Sequence, residues 1–138
     1  MTNESASPAA SSDRFRVEDD ENGVIRATVD GGWMTKPVAQ AMCADIERAA
    51  AKHPGQARLM LDMGAMSKAT PGAGMYAMRS IKRLDLSAIA LYRANGFMRR
   101  FARTVMRLAR FRRFDLFQEE SQARTWLGGD TPGEHADR

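Results

Sequence analysis

Two short, almost wholly apolar runs separated by a helical segment constrain the fold of this chain more than any other feature. The runs at 58–63 and 88–92 have the length and continuity of strands that are covered on both faces of a sheet. Between them, a segment that opens with Thr70 and Pro71 carries apolar residues at helical spacing, namely Met75, Met78, Ile81 and Leu84. A strand, a helix and a second strand in this order form a βαβ unit with parallel strands.

Further elements extend this unit toward both ends of the chain. They are predicted strands at 15–18, 24–29 and 114–117, and predicted helices from Thr35 to His53, over 97–113 and over 119–127. Asn22-Gly23 is a tight-turn signal, so the first two strands form an N-terminal β-hairpin. The sequence therefore predicts a single α/β domain with a mixed, mostly parallel sheet and about four helices.

Composition sets the boundaries of the domain and limits its chemistry. Residues 1–12 and 129–138 are predicted to be a disordered leader and a disordered tail around a domain at 13–128. One cysteine, Cys43, and two histidines leave little from which to build a disulfide framework, a His-based triad or a metal cluster. We therefore expect no catalytic residue, no metal and no cofactor. The start of the chain does not resemble a signal peptide, which favours the cytoplasm.

The segment 97–113 is strongly basic and amphipathic. It carries seven arginines and no acid, whereas residues 1–30 carry seven acids and three arginines. At the helical step of about 100° per residue, one set of side chains shares a face that we expect to point into the core. This set is Phe97, Phe101, Thr104, Val105, Leu108 and Phe111. A separate stripe is formed by Arg99, Arg100, Arg103, Arg107 and Arg110.

Two interpretations of the arginine stripe stay open. Exposed ion pairs contribute little to stability, so the stripe could be an ordinary solvated face. Alternatively it binds an anionic partner, since the planar guanidinium suits phosphate and carboxylate groups, and an anionic membrane lipid would also attract it. A nucleic acid is a weaker candidate, because the aromatic residues are not interleaved with the arginines as a stacking platform requires.

Three segments resemble the STAS or SpoIIAA-like family of bacterial anti-anti-sigma factors. LMLDM at 59–63 leads into ATPGAG at 69–74, which is similar to the family's strand-to-helix junction Asp-Ser-Ser-Gly-Leu-Gly. IALYR at 89–93 precedes a helix, and FDLFQEESQARTWL at 114–127 is similar to the family's closing strand and helix. The resemblance implies a SpoIIAA-like fold and a non-enzymatic regulatory module that recognises a protein partner, such as an anti-sigma-like kinase.

The junction departs from the family's pattern at its regulatory position. Aligning Gly72 and Gly74 with the family's Gly-Leu-Gly puts Pro71 where partner-switching members carry a phosphorylated serine. Proline cannot be phosphorylated, so Thr70 and Ser67 are the candidate replacements. A phosphate on Thr70 would lie at a helix N-terminus with Lys68 nearby, where negative charge is favoured. The structural alternative is that Thr70 simply caps the helix.

Asp62 is a further candidate, because it ends a buried strand at the edge where α/β sheets place functional residues. The structural alternative is that its carboxylate caps the loop that follows. The predicted partner surface therefore comprises Asp62, Ser67, Lys68, Thr70, Gly72 and Gly74. A peripheral membrane protein that uses the helix 97–113 is the second functional interpretation, and a small enzyme of unknown reaction is the third.

Overall fold

The computed structural model describes residues 15–20 and 22–128, and the leader and tail predicted at 1–12 and 129–138 lie outside these residues. The strands are β1 (Phe15–Asp19), β2 (Val24–Val29), β3 (Trp33–Met34), β4 (Arg58–Asp62), β5 (Lys68–Ala69), β6 (Ala88–Tyr92) and β7 (Phe114–Phe117). The helices are α1 (Lys36–Ala50), α2 (Pro71–Arg83), α3 (Gly96–Ala109) and α4 (Glu120–Gly128).

Five of the strands form one sheet in the order β1-β2-β4-β6-β7. β1 pairs antiparallel with β2, and every other neighbouring pair in this sheet is parallel. The turn between β1 and β2 is closed by the Asp20 carboxylate, which accepts hydrogen bonds from the backbone N–H groups of Asn22 and Val24. The predicted α/β architecture, with its N-terminal hairpin and mostly parallel sheet, is confirmed.

The sheet lies between two unequal helical layers. Alternate residues of β6 separate into two cores, with Ile89 and Leu91 facing α1, α2 and α3, and Ala90 and Tyr92 facing α4. All five residues of this strand are buried, which explains why its sequence is a continuous apolar run. Three helices therefore cover one face of the sheet, and α4 packs on the other.

The structure adds one element that the sequence analysis did not predict. β3 and β5 are two residues long, and they pair in parallel as a separate ribbon through Trp33↔Lys68 and Met34↔Ala69. They lie in the segments that follow β2 and β4, which are neighbours in the main sheet. The ribbon therefore extends the edge of the sheet at which the carboxyl ends of the parallel strands meet.

Candidate functional site

The junction 67–74 is held in place by backbone hydrogen bonds to the segment around β3. The Ser67 N–H donates to the Gly32 carbonyl at 2.8 Å, and the Thr70 N–H donates to the Met34 carbonyl at 3.0 Å. Thr70 Oγ1 also accepts from the Ala73 N–H at 3.2 Å and caps α2, with Pro71 in the first turn. The loop before α2 is therefore held by backbone hydrogen bonds to the β3 segment and by the cap at the start of α2.

Asn95 connects this junction to α3. Its side-chain oxygen accepts from the Met98 N–H at 2.8 Å and caps α3. Its Nδ2 donates to the Ser67 carbonyl at 3.2 Å. One side chain thus ties the N-terminus of α3 to the loop that leads into α2, so the two helix starts are held side by side.

The junction presents polar groups outward from this fixed backbone. Ser67 and Lys68 are exposed, whereas Thr70 is half-buried with its hydroxyl engaged by the cap. The Lys68 ammonium lies 5.6 Å from the centroid of the Trp33 ring, a cation–π contact on the surface of the β3–β5 ribbon. The exposed surface of the junction is therefore a preformed combination of a hydroxyl, a cation and an indole.

The two junction glycines face different helices. A Cβ added at Gly72 would lie 3.6 Å from Lys36 Cβ of α1, an ordinary contact distance. A Cβ added at Gly74 would lie 2.9 Å from Cε1 of Phe101 on α3, closer than atoms approach without displacement. Gly74 therefore allows α2 and α3 to approach each other closely at the site, and Gly72 has no such role.

Alanine substitutions at these two glycines are expected to have opposite effects on stability. Gly72→Ala should raise the free energy of unfolding by about 0.5 kcal/mol, because it restricts the unfolded chain without a clash. Gly74→Ala should lower it by about 1 kcal/mol, because displacement of the Phe101 ring outweighs the gain in helix propensity. Chemical denaturation of the two single variants measures both; a stabilised Gly74→Ala variant would show that the helices can separate without cost.

Asp62 forms an ion pair at the end of β4. Its side chain is buried, and Oδ1 accepts from the Gly64 N–H at 2.8 Å and from Arg93 Nε at 3.2 Å. Arg93 Nη2 donates to Oδ2 at 2.5 Å, so the guanidinium engages both carboxylate oxygens. The hydrogen bond and the negative charge of Asp62 raise the pKa of the Arg93 guanidinium. Asp62 therefore caps its loop and is neutralised by Arg93.

Four of the five predicted stripe arginines lie exposed on α3, and Arg110 does not belong to the helix. α3 ends at Ala109, and Arg110 takes the left-handed conformation with φ 58°. The Arg110 and Phe111 N–H groups both donate to the Met106 carbonyl, a helix-ending pattern. The predicted helix 97–113 is thus too long, because half-buried Phe111 turns back to pack against the core. The stripe is Arg99, Arg100, Arg103 and Arg107.

The predicted inner face of α3 is correct only in part, because Val105 is buried and Phe101 and Phe111 pack against the core, but the other three residues are exposed. Phe97 and Leu108 are 40% and 57% exposed, and Thr104 is exposed as well. The buried residues of the helix are Met98, Ala102, Val105, Met106 and Ala109, of which Val105 alone belongs to the predicted face. The buried face of the helix is therefore made mostly of small or flexible side chains, and the larger Phe97 and Leu108 lie at its outer edge.

The other face of the molecule has an open groove beside α4. It has a volume of about 610 Å³ and is lined by Arg93, Gln118, Glu119, Glu120, Ser121 and Arg124. Three of the four charged residues in its lining form ion pairs, since Glu120 binds Arg26 at 3.0 Å and Arg124 at 3.1 Å, and Arg93 binds Asp62. The groove is therefore a surface of paired charges.

Residues 15–20 and 22–128 hold neither a metal-binding cluster nor a membrane-spanning helix. These residues contain no cluster of three or more His, Cys, Asp or Glu side chains placed to hold a metal ion. They also contain no helix that is both long and apolar enough to cross a membrane. Cys43 is buried, and its burial raises the pKa of the thiol.

Sequence reasoning did not select three residues that organise this region. Asn95 precedes a glycine at the start of a helix, so its capping role had a readable signal. Trp33 stands in a strand too short to show a pattern. Arg93 lies one residue beyond a strand that pairs with β4, and only the register Asp62↔Tyr92 brings it to the carboxylate.

A protein-family model described as SpoIIAA-like matches residues 24–128 of the chain. The match covers β2 through α4 and so includes the junction, the Asp62–Arg93 pair and α3. No curated protein matches the chain.

Two solved structures are similar to this chain in fold. One is an uncharacterized protein of the DUF3478 family with a SpoIIAA-like fold from Shewanella loihica PV-4, with a TM-score of 0.62 and 16% identity over 82% of this chain and 91% of that chain. The other is the anti-sigma factor antagonist SpoIIAA in its unphosphorylated form, with a TM-score of 0.51 and 13% identity over 78% of this chain and 91% of that chain. Both likenesses concern the fold.

Proposed function

This chain belongs to the SpoIIAA-like family, and we propose that it is a small, non-enzymatic regulatory module that recognises a protein partner through the junction 67–74 and the exposed side of α2. The partner class we propose is an anti-sigma-like kinase or another signalling domain. A solved structure of similar fold is named an anti-sigma factor antagonist, which supports this class.

The observation that carries the proposal is the exposed, fixed surface of the junction. Ser67 and Lys68 are exposed on a loop whose backbone is bound to Gly32, Met34 and Asn95. A surface that is ordered before binding loses little conformational entropy when a partner docks. Met75 lies in the second turn of α2 and is exposed, so it adds an apolar contact beside these polar groups.

A negative charge at the start of α2 is the switch that we propose. Thr70 and Ser67 are the candidate modified residues, since Pro71 occupies the position at which the related junction carries serine. A phosphate there would lie near the positive end of the α2 dipole and the Lys68 ammonium. It would change the charge of the surface without requiring the domain to refold.

Substitution of Thr70 tests the proposal. A partner is first recovered with the tagged full chain by pull-down and identified, and its affinity is then measured with purified proteins. We expect Thr70→Glu to change the affinity by about fivefold or more, because the added charge lies inside the contact surface. Thr70→Ser keeps the helix cap and should bind as the parent chain does.

A matched control separates the junction from general charge effects. Thr125 is exposed on α4, on the opposite side of the sheet, and Thr125→Glu adds the same charge there. Its affinity for the partner should stay within about twofold of the parent value. If Thr70→Glu and Thr70→Ala both bind the partner as the parent does, the junction has only a structural role.

A further inference from the structure

The surface of α2 and α3 combines exposed apolar side chains with an excess of positive charge. Within the described residues, the exposed large apolar side chains are Trp33, Met75, Phe97 and Leu108. Three of them lie on α2 or α3, and Trp33 lies on the β3–β5 ribbon, whose β5 strand contacts α3. Exposed apolar groups are thus gathered on one side of the molecule, where they mark an interaction surface.

α3 has three distinct faces. At about 100° per residue, its arginine stripe lies about 130° to one side of the buried face and its outer apolar edge about 100° to the other side. The outer edge is formed by Phe97, Phe101 and Leu108, of which the first two stack with ring centroids 6.3 Å apart. Phe97 and Leu108 are separated by about 16 Å along the helix axis, so the edge is a line and not a single point.

α2 continues this surface on the other side of the apolar edge. Gly74 packs against Phe101, and half-buried Met78 lies one turn further along the same side of α2. Neither α2 nor α3 contains an acidic residue. The two helices carry seven cations, which are Arg79, Lys82, Arg83, Arg99, Arg100, Arg103 and Arg107.

We propose that this α2–α3 surface docks on an anionic membrane, with Phe97 and Leu108 inserted at the level of the headgroups and the flanking basic side chains bound to lipid phosphates. The proposal shares the exposed side of α2 with the proposed function, but it rests on the residues of α3 and does not require the junction to bind a partner. Its occupant follows from charge complementarity: a surface of one sign, with apolar groups along a helix edge, matches a plane that is negative outside and apolar beneath.

Vesicle co-sedimentation with the full chain tests this surface. The probes are vesicles of phosphatidylcholine alone and of phosphatidylcholine with about 30% phosphatidylserine, at low and high salt. We expect binding only to the anionic vesicles and its loss at high salt, because exposed charges are screened. Each basic residue near an anionic surface strengthens binding about fivefold, so Arg100→Gln/Arg103→Gln/Arg107→Gln should bind about a hundredfold more weakly.

Matched variants distinguish this surface from total charge. Arg16→Gln/Lys52→Gln/Arg124→Gln also removes three positive charges, from β1, the turn after α1 and α4, and should retain most of the binding. Leu108→Gln keeps all charges but removes an inserted group, and it should weaken binding about tenfold, since transfer of an apolar side chain is lost. Because these side chains are exposed, the free energy of unfolding of each variant should be close to that of the parent chain.

Several results would overturn the proposal. They are no binding to any vesicle, equal binding to neutral and anionic vesicles, or equal losses in the two triple variants. If the parent chain binds no vesicle and the Arg100→Gln/Arg103→Gln/Arg107→Gln variant no longer binds a purified protein partner, the surface binds an acidic protein instead. Thr70→Glu should leave the vesicle affinity within about threefold of the parent value. The lipid-binding proposal and the protein-binding proposal can therefore be tested separately.

Discussion

Asp62→Ala is expected to lower the free energy of unfolding by about 2 kcal/mol. The carboxylate is buried and accepts hydrogen bonds from the Gly64 backbone and from the Arg93 guanidinium. Its removal leaves the Gly64 N–H without this acceptor in a partly buried turn, and it removes a side-chain link between the end of β4 and Arg93 after β6. Urea denaturation followed by circular dichroism measures the loss.

Two further variants separate the loop cap from the ion pair. Asp62→Asn keeps an oxygen that can accept from the Gly64 N–H but loses the charge, so its stability should lie between those of the parent and Asp62→Ala. Arg93→Ala should also be destabilising, because it leaves a buried carboxylate without its charged partner. If Asp62→Ala unfolds within about 0.5 kcal/mol of the parent, neither contact contributes to stability.

The elements that the sequence predicts correctly are long enough to show a repeating apolar pattern or a cap signal. β6 is apolar throughout because both of its faces are covered, and α2 begins at a hydroxyl followed by proline. The β3–β5 ribbon has no such pattern, because two residues cannot show a period. It forms because the ends of β2 and β4, which pair in the sheet, bring the two following segments together.

The contacts of the candidate site likewise divide into local ones, which the sequence predicts, and distant ones, which it does not. The capping roles of Thr70 and Asp62 involve neighbours within three residues, so the sequence alone suggested them as structural alternatives. The partners Arg93 and Asn95 lie about thirty residues away from the atoms they bind, and only the parallel register places them there. Whether the junction binds a partner stays a prediction.

The orientation of α3 could not be derived from side-chain size. Two apolar stripes are present on this helix, one rich in Phe and Leu and one rich in Met and Ala. The first has the larger side chains, but Met98, Ala102 and Met106 of the second lie in the main core, whereas Phe101 of the first packs against Gly74 of α2. The buried stripe is therefore the one with the smaller and more flexible side chains, which adapt to a closely packed core.

A pair of glutamine substitutions tests this orientation directly. Met106 is 4% exposed and Leu108 is 57% exposed, although the apolar pattern alone places Leu108 inside. We expect Met106→Gln to lower the free energy of unfolding by about 3 kcal/mol, because it buries an amide in the main core without a partner. Leu108→Gln should change it by less than about 0.5 kcal/mol, since the side chain is already largely in water.

The comparison is controlled because both positions lie in the last turns of one helix and receive the same helix-favouring residue. Differences in helix propensity are therefore small, and the difference in unfolding free energy measures burial. Equal losses at the two positions, or a larger loss at Leu108, would mean that α3 is rotated from the orientation described. Such a result would also place Leu108 inside and remove the outer apolar edge, so this measurement tests the orientation of α3 on which the proposed lipid surface depends.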